Sequence, residues 1–192
     1  MNFRKFSAVT AVAVSMCVGA SAQTSTWTID PAHSSSQFEI RHMGVSNVHG
    51  SITGIKGAVT LDEKDITKSS VEVTLDTTTV DTANSMRDKD LKSENFFNVE
   101  KNPAMTFKST AIARVNGKLK MTGDLTLNGV TKPVTLDLEG PSTPVTARGK
   151  TISGFSASGV LKRSDFNFGT KDLPPALGDQ VKLVIDVEID KQ

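Results

Sequence analysis

Three histidines are the first candidates for chemistry in this chain, because His33, His42 and His49 fall within 17 positions. Imidazole is a ligand for several metals, so three of them could hold an ion. Their spacing fits none of the compact zinc patterns, and no cysteine accompanies them. His42 shares the parity of Phe38 and Ile40, which predicts a hydrogen-bonded histidine on an inner face. We therefore expect no metal site and no cofactor.

A second candidate is a nucleophile motif around Ser156. The sequence from Gly154 to Ser158 approaches the G-x-S-x-G elbow of hydrolases but lacks its final glycine. It also falls in an alternating strand pattern, whereas the elbow joins a strand to a helix. No acid and histidine are evidently placed to complete a triad. The motif therefore predicts a strand and not a hydrolase site.

Two arginines are candidates for binding an anionic group. Arg87 precedes Asp88 in a charged segment, and Arg163 lies two positions before Asp165 at the start of a long loop. The planar guanidinium can hold a phosphate or carboxylate with two parallel hydrogen bonds. The alternative, which the behaviour of exposed ion pairs favours, is that each arginine pairs with its neighbouring aspartate.

A lysine could serve the same purpose near the tip of a predicted hairpin. Leu125 and Leu127 alternate with polar residues, and Asn128-Gly129 is a preferred pair for a tight two-residue turn. Such a turn places Lys132 opposite Leu125, on the apolar face. Pro133 cannot donate to the ladder, and a bulge there would turn Lys132 outward instead.

These side chains need a scaffold, and alternating apolar and polar residues predict strands almost from end to end. We count about eight or nine strands, spaced as in an antiparallel sandwich or barrel. A barrel is favoured because small residues fall on the expected inner face, where they leave room for a ligand. They are Ala111, Ala113, Gly123, Ala157 and Gly159. A single bulge would invert such an assignment.

Two segments interrupt the alternation. Residues 82–93 are polar and charged, which predicts a short helix capped by Asp81 or Thr82. The expected anchors of this helix over an open end of the barrel are Met86, Phe96 and Phe97. Residues 163–179 predict a long ordered loop, a kind of segment that often carries function.

The first 22 residues predict a secretory signal peptide. A basic start precedes an apolar run over residues 6–19, and Ala20-Ser21-Ala22 offers a small-x-small site for cleavage after Ala22. The run is too short for a comfortable membrane span. A lipoprotein processed at Cys17 is the alternative. We expect a single periplasmic or secreted domain over residues 23–192.

Cleavage after Ala22 also sets the charge of the mature chain. It removes two of the 22 basic residues and leaves 20 against 21 acidic ones. This near-neutral balance argues against a nucleic-acid partner. Cleavage removes the only cysteine as well, so the mature domain must fold without an internal disulfide, and its size permits that.

The motifs of the mature chain resemble those of one known family. Each motif is modest alone, but their order and spacing together are specific, and they cover nearly the whole mature chain. In order, they are Trp27–Ser34 (WTIDPAHS), Phe38–His42, Arg87-Asp88 with Leu91, Phe96-Phe97, Pro103–Phe107, Gly123–Val134, Gly154-Phe155 and Arg163–Phe166. On these residues the chain is similar to the YceI-like family of lipocalin-like barrels.

The resemblance implies an all-β fold, an extended antiparallel lipocalin-like barrel of about eight strands with one short helix over an open end. It implies a long apolar tunnel that holds a polyisoprenoid or similar lipid, in a periplasmic or secreted binding protein that is often dimeric and not an established enzyme. The family often carries a histidine where this chain has Asp90. An added negative charge at that position would disfavour a pyrophosphate head group.

We therefore expect a lipid carrier, neither membrane-spanning nor enzymatic. The residues expected to line its tunnel are Phe38, Ile40, Val73, Phe107, Met121, Leu125, Leu136, Phe155, Leu183 and Ile185. Those expected at the mouth, near a head group, are His42, Arg87, Lys132 and Arg163. Two alternatives stay open: an enzyme with His42 or His33 as a base inside the barrel, and a structural protein whose barrel is filled by its own side chains.

Overall fold

The computed structural model describes residues 23–192, so the predicted signal peptide, with Cys17, lies outside the described residues. Within the described chain there are ten strands, one α-helix (α1, Ser85–Leu91) and three short 3₁₀ helices at Ile66–Lys68, Thr77–Thr79 and Arg163–Phe166. The strands are β1 (Thr24–His42), β2 (Ser46–Ile52), β3 (Lys56–Asp62), β4 (Ser70–Asp76), β5 (Ala104–Val115), β6 (Lys118–Leu127), β7 (Val130–Glu139), β8 (Val145–Ala147), β9 (Lys150–Lys162) and β10 (Leu177–Lys191). No helix in this part of the chain is long and apolar enough to cross a membrane.

Eight of the strands close into an antiparallel barrel. The order around the barrel is β1-β3-β4-β5-β6-β7-β9-β10, and pairing of β10 with β1 completes the circuit. The long β1 meets β3 along residues 24–28 and β2 along residues 36–42. Strand β8 is a short addition to the start of β9. The predicted all-β, lipocalin-like barrel of about eight strands with one short helix is confirmed.

The predicted β6–β7 hairpin has the expected register. Leu127 pairs with Val130 and Leu125 with Lys132, across a turn in which Asn128 and Gly129 have φ of +50° and +73°. The pairing runs unbroken to Leu119 and Leu138, so Pro133 creates no bulge. Hydrogen-bonded and non-hydrogen-bonded pairs alternate from the turn, and Pro133 falls on a non-hydrogen-bonded pair. Its missing N–H therefore removes no bond to β6.

Strand β5 contains a bulge that the sequence pattern did not predict. Ser109 pairs with Gly123, but Ala111 pairs with Thr122, so Thr110 is the extra residue. An extra residue moves every later side chain to the other face. Ala111 and Ala113 are consequently exposed, and Ile112 is buried. The prediction that these two alanines line the interior was wrong.

Helix α1 is shorter than the predicted segment, and its cap is different. The Asn84 side chain accepts a hydrogen bond from the Arg87 backbone N–H, so Asn84 is the N-cap, and the prediction of Asp81 or Thr82 was wrong. Phe96 and Phe97 are buried as predicted and pack edge-on against Phe168. Met86 anchors nothing, since it is 83% exposed.

Burial inside the barrel changes from one end to the other. Along β10 the inward residues Leu183, Ile185 and Val187 are only half-buried, whereas Ile189 is completely buried. Trp27, close to Ile189 in the β1–β10 register, is 1% exposed. The end of the barrel around Trp27 is therefore a packed core, and the interior towards the start of β10 is not filled by side chains.

Candidate ligand-binding cavity

The unfilled interior forms a cavity of about 420 Å³. All ten residues predicted to line a tunnel are on its wall, while Trp27 and Ile189 are not. The cavity reaches the surface beside the end of β1, where the exposed His42, Asp90 and Ala176 form part of its lining. That opening, between the β1–β2 turn, α1 and the loop before β10, is the mouth. Volumes of this order are typical of small-molecule sites.

Some wall residues could not be assigned from alternation. Ile112 faces inward only because of the bulge in β5. Ile55, Phe97 and Phe168 lie outside the strands and reach the cavity from connecting segments. Phe97 was predicted only as an anchor of the helix over the open end, and the signal for Ile55 and Phe168 in the sequence is an apolar side chain in a polar loop.

The cavity does not arise from small residues left uncovered, as the sequence argument assumed. A Cβ added to Gly123 would lie 2.4 Å from the ring of Phe107, and one added to Gly50 would lie 2.3 Å from Phe38. Gly159 is covered by Leu136 in the same way, at 2.7 Å. Glycine thus lets large side chains lie flat along the wall, and the lumen is the space that remains between the flattened layers.

Polar groups are concentrated at the mouth. Seven of the lining residues are polar or charged, and two of them, Ser36 on β1 and Ser69 just before β4, are buried. The other five come from the end of β1, from α1 and from the loop after β9; they are His42, Arg87, Asp90, Arg163 and Asp172. An apolar lumen with a polar opening suits an amphiphile whose head group stays near water.

Arg163 lies on the wall, but its hydrogen bonds are already used. The side chain is 3% exposed, and its Nε donates to the Gly178 carbonyl at 2.8 Å. Its Nη1 and Nη2 groups donate to four further carbonyls, those of Phe168, Gly169, Asp172 and Leu177. Since an arginine has five N–H groups, none is left for a head group. Arg163 holds the loop before β10 in place, and it does so through carbonyls and not through Asp165.

Arg87 retains a free donor at the mouth. Its Nε donates to the Thr82 hydroxyl and its Nη2 to the Thr82 carbonyl, both at 2.8 Å. Asp88 accepts from the hydroxyl and the N–H of the same Thr82. Arg87 and Asp88 therefore both form hydrogen bonds with Thr82. The Nη1 group of Arg87 has no acceptor within residues 23–192. This arrangement orients the guanidinium towards the cavity that it lines.

The other two predicted mouth residues differ. His42 is the last residue of β1 and lines the mouth. Lys132 lies opposite Leu125 as predicted, but its side chain is exposed and is not part of the cavity wall. The structure thus brings together His42, Arg87 and Arg163 and leaves Lys132 outside. Whether any of them contacts a ligand stays a prediction.

His33 lies outside the barrel, where β1 bulges away from β10. Asp30 pairs with Glu188 and Ser35 with Asp186, so residues 31–34 form the bulge. The Nδ1 of His33 is 2.9 Å from the Asp30 carboxylate and 3.5 Å from that of Glu188. The hydrogen bond with Asp30 raises the pKa of His33 and lowers the pKa of Asp30. As an exposed residue off the cavity wall, His33 cannot act as a base inside the barrel.

The three histidines do not gather into one metal site. His33 is on the bulge, His42 is at the mouth, and His49 on β2 is 4.0 Å from Glu39. One different set of potential ligands is present, since donor atoms of Asp30, His33 and Glu188 lie within 4.8 Å of one another. The hydrogen bond between His33 and Asp30 and the ion-pair contact between His33 and Glu188 already account for their proximity. The expected absence of a metal stays a prediction.

Comparison with known proteins assigns this architecture to a family. Residues 27–189 match the model of the YceI-like domain. Protein YceI of Escherichia coli O157:H7 is 44% identical over 156 residues, 81% of each chain. The crystal structure of the Campylobacter jejuni YCEI protein is 35% identical, with a TM-score of 0.70 over 80% of this chain and 90% of that one. A polyisoprenoid binding domain from Saccharophagus degradans shares the fold at 11% identity, with a TM-score of 0.64 over 86% and 98%.

Proposed function

The chain belongs to the YceI-like family, and on that premise we propose that it is a lipid carrier that encloses one polyisoprenoid or similar long apolar chain. The cavity carries this proposal. It is closed by packed side chains at one end, lined mainly by apolar side chains along its length, and charged only at the mouth. A molecule that fits it has a long apolar tail and a compact polar head.

The energetics require the tail to be long. Burial contributes about 0.8 kcal/mol per methylene, whereas association costs about 4–15 kcal/mol in lost freedom of motion. A short chain would recover little more than this cost. The half-buried inward side chains, such as Phe155 and Leu183, offer the additional apolar surface that a long chain would cover. The name of the Saccharophagus degradans domain supports the same ligand class, by fold alone.

The mouth favours a compact anionic or neutral head group. Arg87 offers a free N–H, and His42 lies on the same opening. Asp90 is exposed there and adds a negative charge beside them. A pyrophosphate, with several charges, would meet this carboxylate, so we expect a single phosphate or an uncharged polar group to bind better.

Binding, and not catalysis, is the role that the cavity supports. The enzyme alternative relied on His33 or His42, and His33 lies on the outer surface. His42 stands at the mouth, where it would meet the head group and not the chain. Location is a further proposal: a signal peptide over residues 1–22 would deliver the protein to the periplasm or the medium. Intact mass of the exported protein, beginning at Gln23, would support it.

Native mass spectrometry of protein produced in a bacterium tests the carrier function. The wild-type protein is expected to carry, or to take up from solution, one long-chain isoprenoid or fatty lipid. Ile185→Trp places a large ring in the cavity and should abolish the adduct. The adjacent Val184, 49% exposed, faces outward, so Val184→Trp is a matched control that should retain it. A wild-type protein that neither carries nor takes up any lipid would overturn the proposal.

A further inference from the structure

Four large apolar side chains stand exposed around the mouth: Met43 at 53%, Val45 at 77%, Met86 at 83% and Leu173 at 69%. They come from three separate elements, the β1–β2 turn, α1 and the loop before β10. Each is within three residues of a residue on the cavity wall, namely His42, Arg87 or Asp172. We call these four residues the rim.

The elements of the rim are joined to one another. The backbone N–H of Met43 donates to the Ala176 carbonyl at 3.0 Å, which ties the turn to the loop. Ser51 on β2 pairs with Asp81, just before α1. The elements that carry the rim are therefore linked by backbone hydrogen bonds around one opening, whereas unrelated exposed apolar residues would need no explanation.

Met43 is an unexpected residue for its position. The Val45 N–H donates to the His42 carbonyl at 3.0 Å, and Met43 and Gly44 have φ of +51° and +71°, which defines a type I′ turn. Three other tight turns have positive φ at both central residues. Two of them use Asn116 and Asn128 at the first place, as expected, and the third uses Arg148. A methionine in this conformation is strained, and its exposed side chain gains no packing in return. Met43 is the one apolar side chain among these four turn positions, and it stands at the mouth.

We propose that the rim inserts into the surface of a lipid bilayer, so that a long-chain lipid passes between the membrane and the cavity without crossing water. This inference rests on the proposed carrier function. Exposed apolar side chains on three elements beside the opening of an apolar cavity provide such a path. The tip of the β1–β2 turn faces open space, because a side chain added at Gly44 would meet no atom within 4 Å.

Charges beside the rim favour a bilayer that contains anionic lipid. Lys89 and Lys171 are exposed on α1 and on the loop before β10, and Arg41 is exposed on β1 just before the turn. The acids of these segments are the exposed Asp90 and the half-buried Asp88 and Asp172, so the fully exposed charges are mainly basic. Juxtaposed apolar and basic groups are typical of segments that lie in the membrane interface. The opposite end of the barrel offers Val145, 56% exposed, without a cavity behind it.

Vesicles of phosphatidylethanolamine and phosphatidylglycerol provide the test. Binding to the vesicles and the rate of transfer of a fluorescent isoprenoid from them would be measured for the wild type and for the variant Met43→Asn, Met86→Gln, Leu173→Gln. The variant should bind vesicles about tenfold or more weakly and slow transfer to a similar degree, since three apolar side chains leave the interface. Val145→Gln is the control at the opposite end and should change neither quantity.

Two further measurements distinguish this inference from its alternatives. The same isoprenoid, presented from dilute ethanol, should bind the rim variant as well as the wild type; no binding to either protein would refute the carrier function itself. Met43→Asn alone should preserve or raise the melting temperature while transfer slows, because asparagine suits the turn. Unchanged vesicle binding and transfer by the rim variant would overturn the inference. A second contrary result is a wild-type dimer that becomes a monomer in the rim variant, by sedimentation, without loss of vesicle binding. A second copy of the chain, and not a bilayer, would then cover the rim.

Discussion

The two ends of the barrel are built from the same strands but differ in what fills them. At the closed end, Trp27 is 1% exposed, its indole N–H donates to Ser25, and Lys191 lies over its ring. At the mouth, the inward side chains are half-buried and the opening is framed by a short helix and loops. Alternation in the sequence is equally regular at both ends. Large side chains directed across the axis close one end, while side chains laid flat along the wall leave the other open.

The largest difference between the ends should appear in stability. Trp27→Ala removes a fully packed plug and is expected to lower the free energy of unfolding by about 3–5 kcal/mol. Phe38→Ala removes a ring that already borders the cavity, so its cost should be below about 2 kcal/mol. Urea unfolding of the two variants checks this. Equal losses would mean that the mouth half is packed as tightly as the closed end.

Arg163 tests whether the loop at the mouth depends on a buried guanidinium. Arg163→Lys should lower the free energy of unfolding by about 2–3 kcal/mol, because an ammonium group cannot reach all of the carbonyls that the five N–H groups now satisfy. Affinity for a neutral long-chain alcohol should change little if the variant folds. Selective loss of an anionic ligand would instead assign Arg163 to the head group.

Variants of Arg87 and Lys132 distinguish binding of a head group at the cavity mouth from binding at the nearby surface. Arg87→Gln should weaken binding of an isoprenoid monophosphate by about tenfold, because it removes a charge-assisted hydrogen bond. Lys132→Gln is the matched control, since that lysine is not on the cavity wall. Isothermal titration with the monophosphate and with the uncharged alcohol compares them. A stronger effect of Lys132→Gln would show that the head group lies beside the hairpin.

The smallest effect concerns His33, on the side of the barrel. Its pKa is raised from 6.5 by the hydrogen bond with Asp30, so its contribution to stability is complete below the unfolded value and disappears as pH rises through the folded one. His33→Gln should therefore destabilise the protein more at about pH 5.5 than at about pH 9. High salt should reduce the difference, because the ring is exposed. A larger loss at high pH would contradict this assignment.

The sequence predicted the parts of the barrel where local rules act alone. Asn128-Gly129 determines its own turn, and the turn determines the pairing of Leu125 with Lys132. Alternation then identifies the wall residues on every strand that keeps its register. Beyond the bulge at Thr110 the same rule gave the wrong face, because nothing in the sequence distinguishes Ala111 as inward or outward.

The mouth was less predictable, because its residues act through tertiary contacts. The sequence predicts Arg163 as a free cation or as one paired with a neighbouring aspartate. In the structure, the carbonyls of a loop that folds back on Arg163 accept all of its hydrogen bonds. The sequence predicts Met86 as an anchor of the helix, since an apolar residue in a short helix is ordinarily buried. Its exposure can be interpreted only together with the other rim residues, which come from two other elements.

The occupant that we propose for the unfilled half of the barrel is one long chain. The most direct test is the free energy of unfolding in increasing concentrations of a long-chain isoprenoid, for the wild type and for Ile185→Trp. Above the dissociation constant, the wild type should gain about 1.4 kcal/mol for each tenfold increase in free ligand, and Ile185→Trp should gain nothing. Equal gains for both proteins, or none for the wild type, would contradict the claim.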